Sequence, residues 1–389
     1  MTSQINKLMA IRAIRSFMVV MPIIAIYWLD QGLSIQDIFL LQVIFSVAIV
    51  LLEIPSGYFA DVFGRKGSLV LGVLMGTLGF FLYFLATGFI GFAVAEIVLA
   101  LSAAFLSGAD SAFLYDTLQQ FGATERHVKY EGRIISATRI SEAIAALTSG
   151  LLLIYLSFKT VFFVQFIVMA LAIPIVLTIK EPEILVTTKK RKNILEIIKF
   201  ALHENKRLLY LNMFSGVVSA STLTMVWFAQ PYWGELEVNI VYFGVMWAGL
   251  NILVSISAYF AHRVEEYLSF RTLFAFFAVA PLILYGLLGL GVGMYALLLI
   301  PMFWVLRGFF QPISLDYVNR ETDSSIRATV VSVSQLFARL SFAILSPFLG
   351  WVADVWSLET AFQASALIFG ILAIISFLLL SRHMRKRVV

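Results

Sequence analysis

Gly57-Tyr58-Phe59-Ala60-Asp61-Val62-Phe63-Gly64-Arg65-Lys66 joins two long apolar runs and places a glycine, an acid, a second glycine and two adjacent bases within ten residues. Each has a physical use. Gly57 would let the first run pack closely on a neighbour. Gly64 permits a tight turn that a residue with a Cβ resists. Asp61 can meet a helix amino terminus and the Arg65 guanidinium. Arg65 and Lys66 mark a face on which bases collect. A plain basic turn would account for the bases, but not for the order of glycines and acid.

The flanking sequence decides the solvent. The chain has 389 residues, 61% of them hydrophobic, where soluble domains run nearer ~45–50%. Most of this excess must face lipid. Lipid admits helices or closed barrels, and the apolar runs are far longer than the ~10-residue alternating segments of a barrel. The expected fold is therefore all-α. Spans of about 20 apolar residues fall near 8–29, 36–60, 67–88, 91–118, 131–156, 159–179, 208–232, 239–262, 270–290, 293–318, 326–352 and 358–381. Lys7, Arg12 and Arg15 ahead of an apolar stretch imitate a signal peptide. No small-residue cleavage site follows, so this start reads as the first helix.

The longest polar interruption, 181–207, divides two six-helix bundles, 1–180 and 208–389. It holds the basic run Lys189-Lys190-Arg191-Lys192 and an amphipathic piece, 194–200, read as a linker helix. Bases fall on one side of the spans, and Lys159 alone lies on the other. Both termini should then be cytoplasmic, in a multi-pass protein of the cytoplasmic (inner) membrane. The net charge of +5 follows from that asymmetry and does not argue for nucleic acid. A shift of 200 residues aligns Gly108, Asp116, Arg139, Ser141, Ala143, Ile144 and Gly150 with Gly308, Asp316, Arg339, Ser341, Ala343, Ile344 and Gly350. Gly350-Trp351-Val352-Ala353-Asp354-Val355-Trp356 echoes 57–63 at the opposite end of its span. Repeats of this kind build many transporters.

The order G-x-x-x-D then x-x-G-R-K at 57–66 resembles the loop between helices 2 and 3 of major facilitator superfamily transporters. The resemblance implies twelve transmembrane helices in two pseudo-symmetric bundles that rock about a central solute site. It implies that Gly57, Asp61, Gly64, Arg65 and Lys66 latch span 2 to span 11 on the cytoplasmic side, with Asp116 joining that network. It also implies a cavity lined mainly by spans 1, 4, 7 and 10. Val62 departs from the family, which often has a base there. Span 5 lacks the Gly-Pro antiporter pattern and keeps only Ser149-Gly150. Ala104 stands where drug antiporters carry an arginine.

Charges inside spans are costly and usually face a cavity or a partner. Asp110 in span 4 is the leading proton carrier, with Arg139 and Glu142 of span 5 as companions in one network. Arg139 and Glu142 can equally form a structural pair. Arg12 and Arg15 are expected to snorkel to lipid phosphates. Arg307 and Arg339 are candidates for holding a substrate carboxylate or phosphate. Trp227, Gln230, Trp247, Asn251, Trp304 and Gln311 offer stacking and hydrogen bonds to a solute. With 35 phenylalanines present, single aromatics more often pack or face lipid. Pro231, Pro301 and Pro312 should bend their helices.

Other chemistry has no pattern to rest on. Cysteines are absent, which excludes disulfides and thiol chemistry. There is no G-x-x-x-x-G-K-S/T loop for ATP, no zinc spacing among the four histidines, and no readable catalytic set. The expected protein is not an enzyme, needs no metal or cofactor, and draws on an ion gradient, first of all protons. Its partners are a small-molecule substrate and membrane lipids, and it is expected to work as a monomer. Export of small amphiphilic compounds is the first reading. Uptake of a small organic anion by symport or facilitation, and flipping of a lipid or lysolipid, are the alternatives.

Overall fold

The computed structural model describes residues 1–182, 205–322 and 327–383. The basic run 189–192 and the amphipathic piece 194–200 lie outside the described residues. The helices are α1 (Thr2–Ser16), α2 (Ile24–Asp30), α3 (Ile35–Phe63), α4 (Arg65–Leu85), α5 (Gly88–Gln120), α6 (His127–Tyr155), α7 (Phe158–Ala170), α8 (Ala172–Leu177), α9 (Lys206–Glu235), α10 (Phe243–Tyr267), α11 (Phe270–Leu288), α12 (Ala296–Arg320), α13 (Arg327–Val355) and α14 (Leu358–His383). Among the described residues, eleven segments are long and apolar enough to cross a membrane.

The first expected span, 8–29, is not one helix: α1 ends at Ser16 and α2 begins at Ile24. Pro22 has no N–H to continue the helical ladder. The break is tolerable because Gln165 of α7 turns inward, and its Oε1 accepts from the Val19 N–H at 2.8 Å. Irregular backbone at membrane depth needs such a partner. The sixth span is likewise divided, at Leu171, three residues before Pro174.

The described residues form two compact units. One gathers the described residues of 1–33, 41–188 and 238–248; the other gathers those of 34–40, 189–237 and 249–389. Lipid removes most of the hydrophobic drive between helices, so close packing and hydrogen bonds must hold them together. In the first unit α4 and α5 lie close because a Cβ at Gly72 or Gly79 would fall 2.5 Å from Leu106 or Leu99 side-chain atoms. Ser102 Oγ then reaches the Gly72 carbonyl at 2.7 Å, and Ser68 Oγ reaches the Phe105 carbonyl at 2.8 Å. The second unit packs around Phe214, Phe274, Phe277 and Phe310. Ser215 pairs with Ser314 at 2.6 Å, and Ser334 donates to Asn212 at 2.7 Å.

Two short segments explain the unit boundaries. Residues 238–248 join the first unit because α10 crosses α6 at van der Waals limit. A Cβ on Gly244 would lie 2.2 Å from the Ala146 carbonyl oxygen, and one on Gly150 would lie 2.3 Å from that of Val241. Residues 34–40 join the second unit because Asp354 of α13 caps α3. Its two carboxylate oxygens accept from the Ile35 and Gln36 N–H groups, each at 2.8 Å. These donors are the orphans of a helix start, and a carboxylate there also meets the positive end of the helix dipole.

Candidate functional site

The decisive loop folds around Gly64, whose φ of +90° suits glycine. Removing the side chain also makes room for Glu181. That carboxylate accepts from the Arg65 N–H at 2.6 Å and the Lys66 N–H at 2.7 Å, capping α4. The Arg65 side chain bridges two acids, Asp61 at 2.8 Å and Asp116 at 3.2 Å. Gly57 differs from the sequence reading: nothing lies within 4 Å of where its Cβ would stand. No neighbour presses on it in this structure. Glu181 escaped the sequence reading because it sits 116 residues from Arg65, with no spacing to betray it.

Asp110 lies in α5 with its side chain only 10% exposed. Its Oδ2 is 3.4 Å from Arg12 Nε and 3.9 Å from Arg15 Nη1. Arg12 also donates to Glu131 at the start of α6, at 2.8 Å. Two arginines of α1 and two acids of α5 and α6 thus form a charge-balanced cluster. This corrects the expectation that Arg12 and Arg15 snorkel to lipid. They stand one turn apart on the face of α1 that looks toward α5, and a near-buried carboxylate competes well with a lipid phosphate. Glu131 was missed. Its position as an acid at the expected inner end of span 5, on the side where Arg12 and Arg15 also fall, is the signal that could have found it.

Arg139 and Glu142 do not enter this cluster. They pair with each other at 3.0 Å along α6, with Arg139 65% exposed. The expected single network is therefore a four-residue cluster around Asp110 and a separate Arg139–Glu142 pair within α6. In the second unit, Asp316 pairs with Arg320 one turn on, and Arg320 reaches Glu265 at 2.8 Å. Arg320 also lies over the Tyr317 ring. Asp116 and Asp316, related by the 200-residue repeat, both hold an arginine.

The remaining candidates lie on α9, α10, α12 and α13. Trp227, Gln230 and Trp304 are buried, Asn251, Arg307 and Arg339 are half-buried, and Gln311 is exposed. Trp247 is buried too, but belongs to the first unit. A cavity of about 450 Å³ in the second unit contains none of them. Its walls are apolar, among them Phe276, Ile283, Met302 and Phe309.

The sequence profile of the Major Facilitator Superfamily matches residues 9–344. No curated protein matches the chain in sequence. Among solved structures, the fold is similar to the nucleoside transporter NupG, with a TM-score of 0.78 at 16% identity, covering 99% of each chain. It is also similar to a bacterial homologue of the human lysosomal transporter Spinster in an inward-facing, unoccupied conformation, with a TM-score of 0.75 at 15% identity, covering 100% of this chain and 98% of that one. A D-xylose–proton symporter gives a TM-score of 0.70 at 12% identity, covering 97% and 95%. At these identities the structures show the fold alone. The profile match spans most of the chain: it belongs to the Major Facilitator Superfamily and is a multi-pass membrane transporter rather than an enzyme.

Proposed function

We propose that the protein couples proton movement to the export of a small amphiphilic solute across the cytoplasmic membrane, with both termini cytoplasmic and the monomer as the working unit. The observation that carries the proton coupling is the Asp110 carboxylate, held near-buried between Arg12 and Arg15. Protonating it would leave two guanidinium groups facing one remaining acid, Glu131. On this reading the cluster rearranges when Asp110 takes a proton and supplies the bistable element that a transporter needs. The buried indoles of Trp227 and Trp304 and the buried amide of Gln230 favour a solute with an apolar body and few polar groups. The solute and lipids are its partners, and no cofactor enters this reading.

Arg307 and Arg339, half-buried on α12 and α13, favour a second reading, uptake of an organic anion. Everted membrane vesicles with a respiration-driven pH gradient separate the two. Amphiphilic cations and neutral amphiphiles should collapse the gradient in the wild type and not in Asp110→Asn. Collapse by organic anions alone, lost in Arg307→Ala, would replace export of amphiphiles with the anion reading.

A further inference from the structure

Helix α5 carries a second acid within the membrane. Glu96 lies fourteen residues before Asp110, about 21 Å along the helix at 1.5 Å per residue, and within about 40° of the same face. It is 4% exposed. Unlike Asp110, it forms no ion pair with any described lysine, arginine or histidine. Its partners are neutral. Tyr83 of α4 donates its phenolic hydrogen to Glu96 Oε1, and Gln42 Nε2 of α3 donates to the same oxygen at 3.4 Å. Among the described residues both donors end on Oε1, which leaves Oε2 as the seat for a proton.

The surroundings are dry and aromatic. The Tyr83 ring is fully buried and stacks on Phe162 at 5.3 Å, with Phe92 at 5.7 Å and Trp28 at 6.3 Å. Tyr27 of α2 packs on the same Phe162 and Phe92 rings, at 4.4 and 5.7 Å, and Asp30 closes α2 three residues on. Lys159 of α7 lies over the Phe84 ring, 5.4 Å from its centroid. The charges that α1 and α6 bring to α5 lie at the Asp110 level: Arg12, Arg15 and Glu131. A carboxylate taken from water without a counter-charge costs several kcal/mol. A phenol and an amide do not cancel its charge; a proton does.

We propose that Glu96 is a proton-binding site separate from Asp110. Its carboxylate takes a proton from water on Oε2 and later returns it to water, while Tyr83 and Gln42 hold Oε1. The inference extends the proton-coupled reading of α5 without depending on the solute. Two acids on one face of one helix, the one ion-paired and the other among neutral donors, give the transporter two proton seats at different depths.

Infrared difference spectroscopy of the purified protein in lipid tests this without substrate. Between acidic and alkaline pH, the wild type should lose a carbonyl band of a buried protonated carboxylic acid. The Glu96 component of that band should be missing in Glu96→Gln and present in Asp110→Asn. In Tyr83→Phe it should move to higher frequency, because one hydrogen bond to the carbonyl is gone. A band unchanged in Glu96→Gln overturns the assignment. So does a band that never titrates, which would make Glu96 a fixed neutral acid. If Glu96→Gln does not fold, Tyr83→Phe decides, and an unmoved band overturns the site. None of these outcomes touches the Asp110 vesicle assay, so the two proposals fail separately.

Discussion

Replacing Asp110 by Asn should destabilise the protein through Arg12 and Arg15, and the distances set the scale. At an effective dielectric constant near 20, pairs at 3.4 and 3.9 Å each carry a gross attraction of about 4–5 kcal/mol. Desolvation offsets most of that, and removing one member of a buried pair costs about 3–5 kcal/mol because the other charge is stranded. Here Arg12 keeps Glu131 at 2.8 Å, and Arg15 is 36% exposed and partly screened. The expected loss is therefore below that range, about 2 kcal/mol, a factor of roughly 30 in the folding equilibrium. The assay is a double-mutant cycle, Asp110→Asn against Arg12→Gln, read by reversible denaturant unfolding in mixed micelles. Contact partners should couple by about 1 kcal/mol or more, whereas independent sites add within about 0.5 kcal/mol. Additivity would refute the pairing. The control is Arg139→Gln against Asp110→Asn, which should add.

Further predictions follow from the close contacts and caps. Gly244→Ala should cost about 1–3 kcal/mol, since its Cβ would strike the Ala146 carbonyl; Gly108→Ala, with nothing within 4 Å, should be neutral or gain up to about 1 kcal/mol, and equal melting shifts would contradict the crossing. Gly64→Ala combines a positive φ with a clash against Glu181 and should lose at least about 1 kcal/mol, whereas Gly57→Ala should not; an indifferent Gly64→Ala in a melting experiment would exclude the Glu181 cap. Asp354→Ala removes two charge-assisted bonds from the start of α3, worth about 1 kcal/mol. The chain has no cysteine, so a single cysteine at the half-buried Gln36 reports this while leaving the Ser34–Asp37 cap in place: thiol labelling should quicken several-fold in Asp354→Ala, and an unchanged rate would mean the Asp354 cap does not hold that end.

Much of this fold was legible because lipid makes hydropathy almost a direct record of helices. The long apolar runs at 36–60, 67–88 and 91–118 each became a helix, and the 57–66 loop was readable from its glycines and charges. The broken first span was not read from hydropathy, which is blind to where a freed N–H finds an acceptor; that acceptor is Gln165. Asp354 was visible as an echo of Asp61, but its target, the start of α3, is a fact of space. The Asp110 cluster was half read. The acid stood out as a charge in an apolar run, while Arg12 and Arg15 looked like ordinary interface bases until α1 was placed beside α5. Glu96 has no role readable from the sequence, because its partners, a phenol and an amide, leave no charge pattern to match.

In the proposed mechanism, solute and proton movement are coupled through Asp110. The most direct measurement reconstitutes the purified protein in liposomes containing a pH-sensitive dye. A solute gradient is imposed without a pH gradient, using whichever amphiphile the vesicle panel identifies. The account predicts solute-driven proton movement in the wild type and none in Asp110→Asn, which should still bind solute. Solute flux without proton movement in the wild type, or equal proton movement in the two proteins, would contradict it.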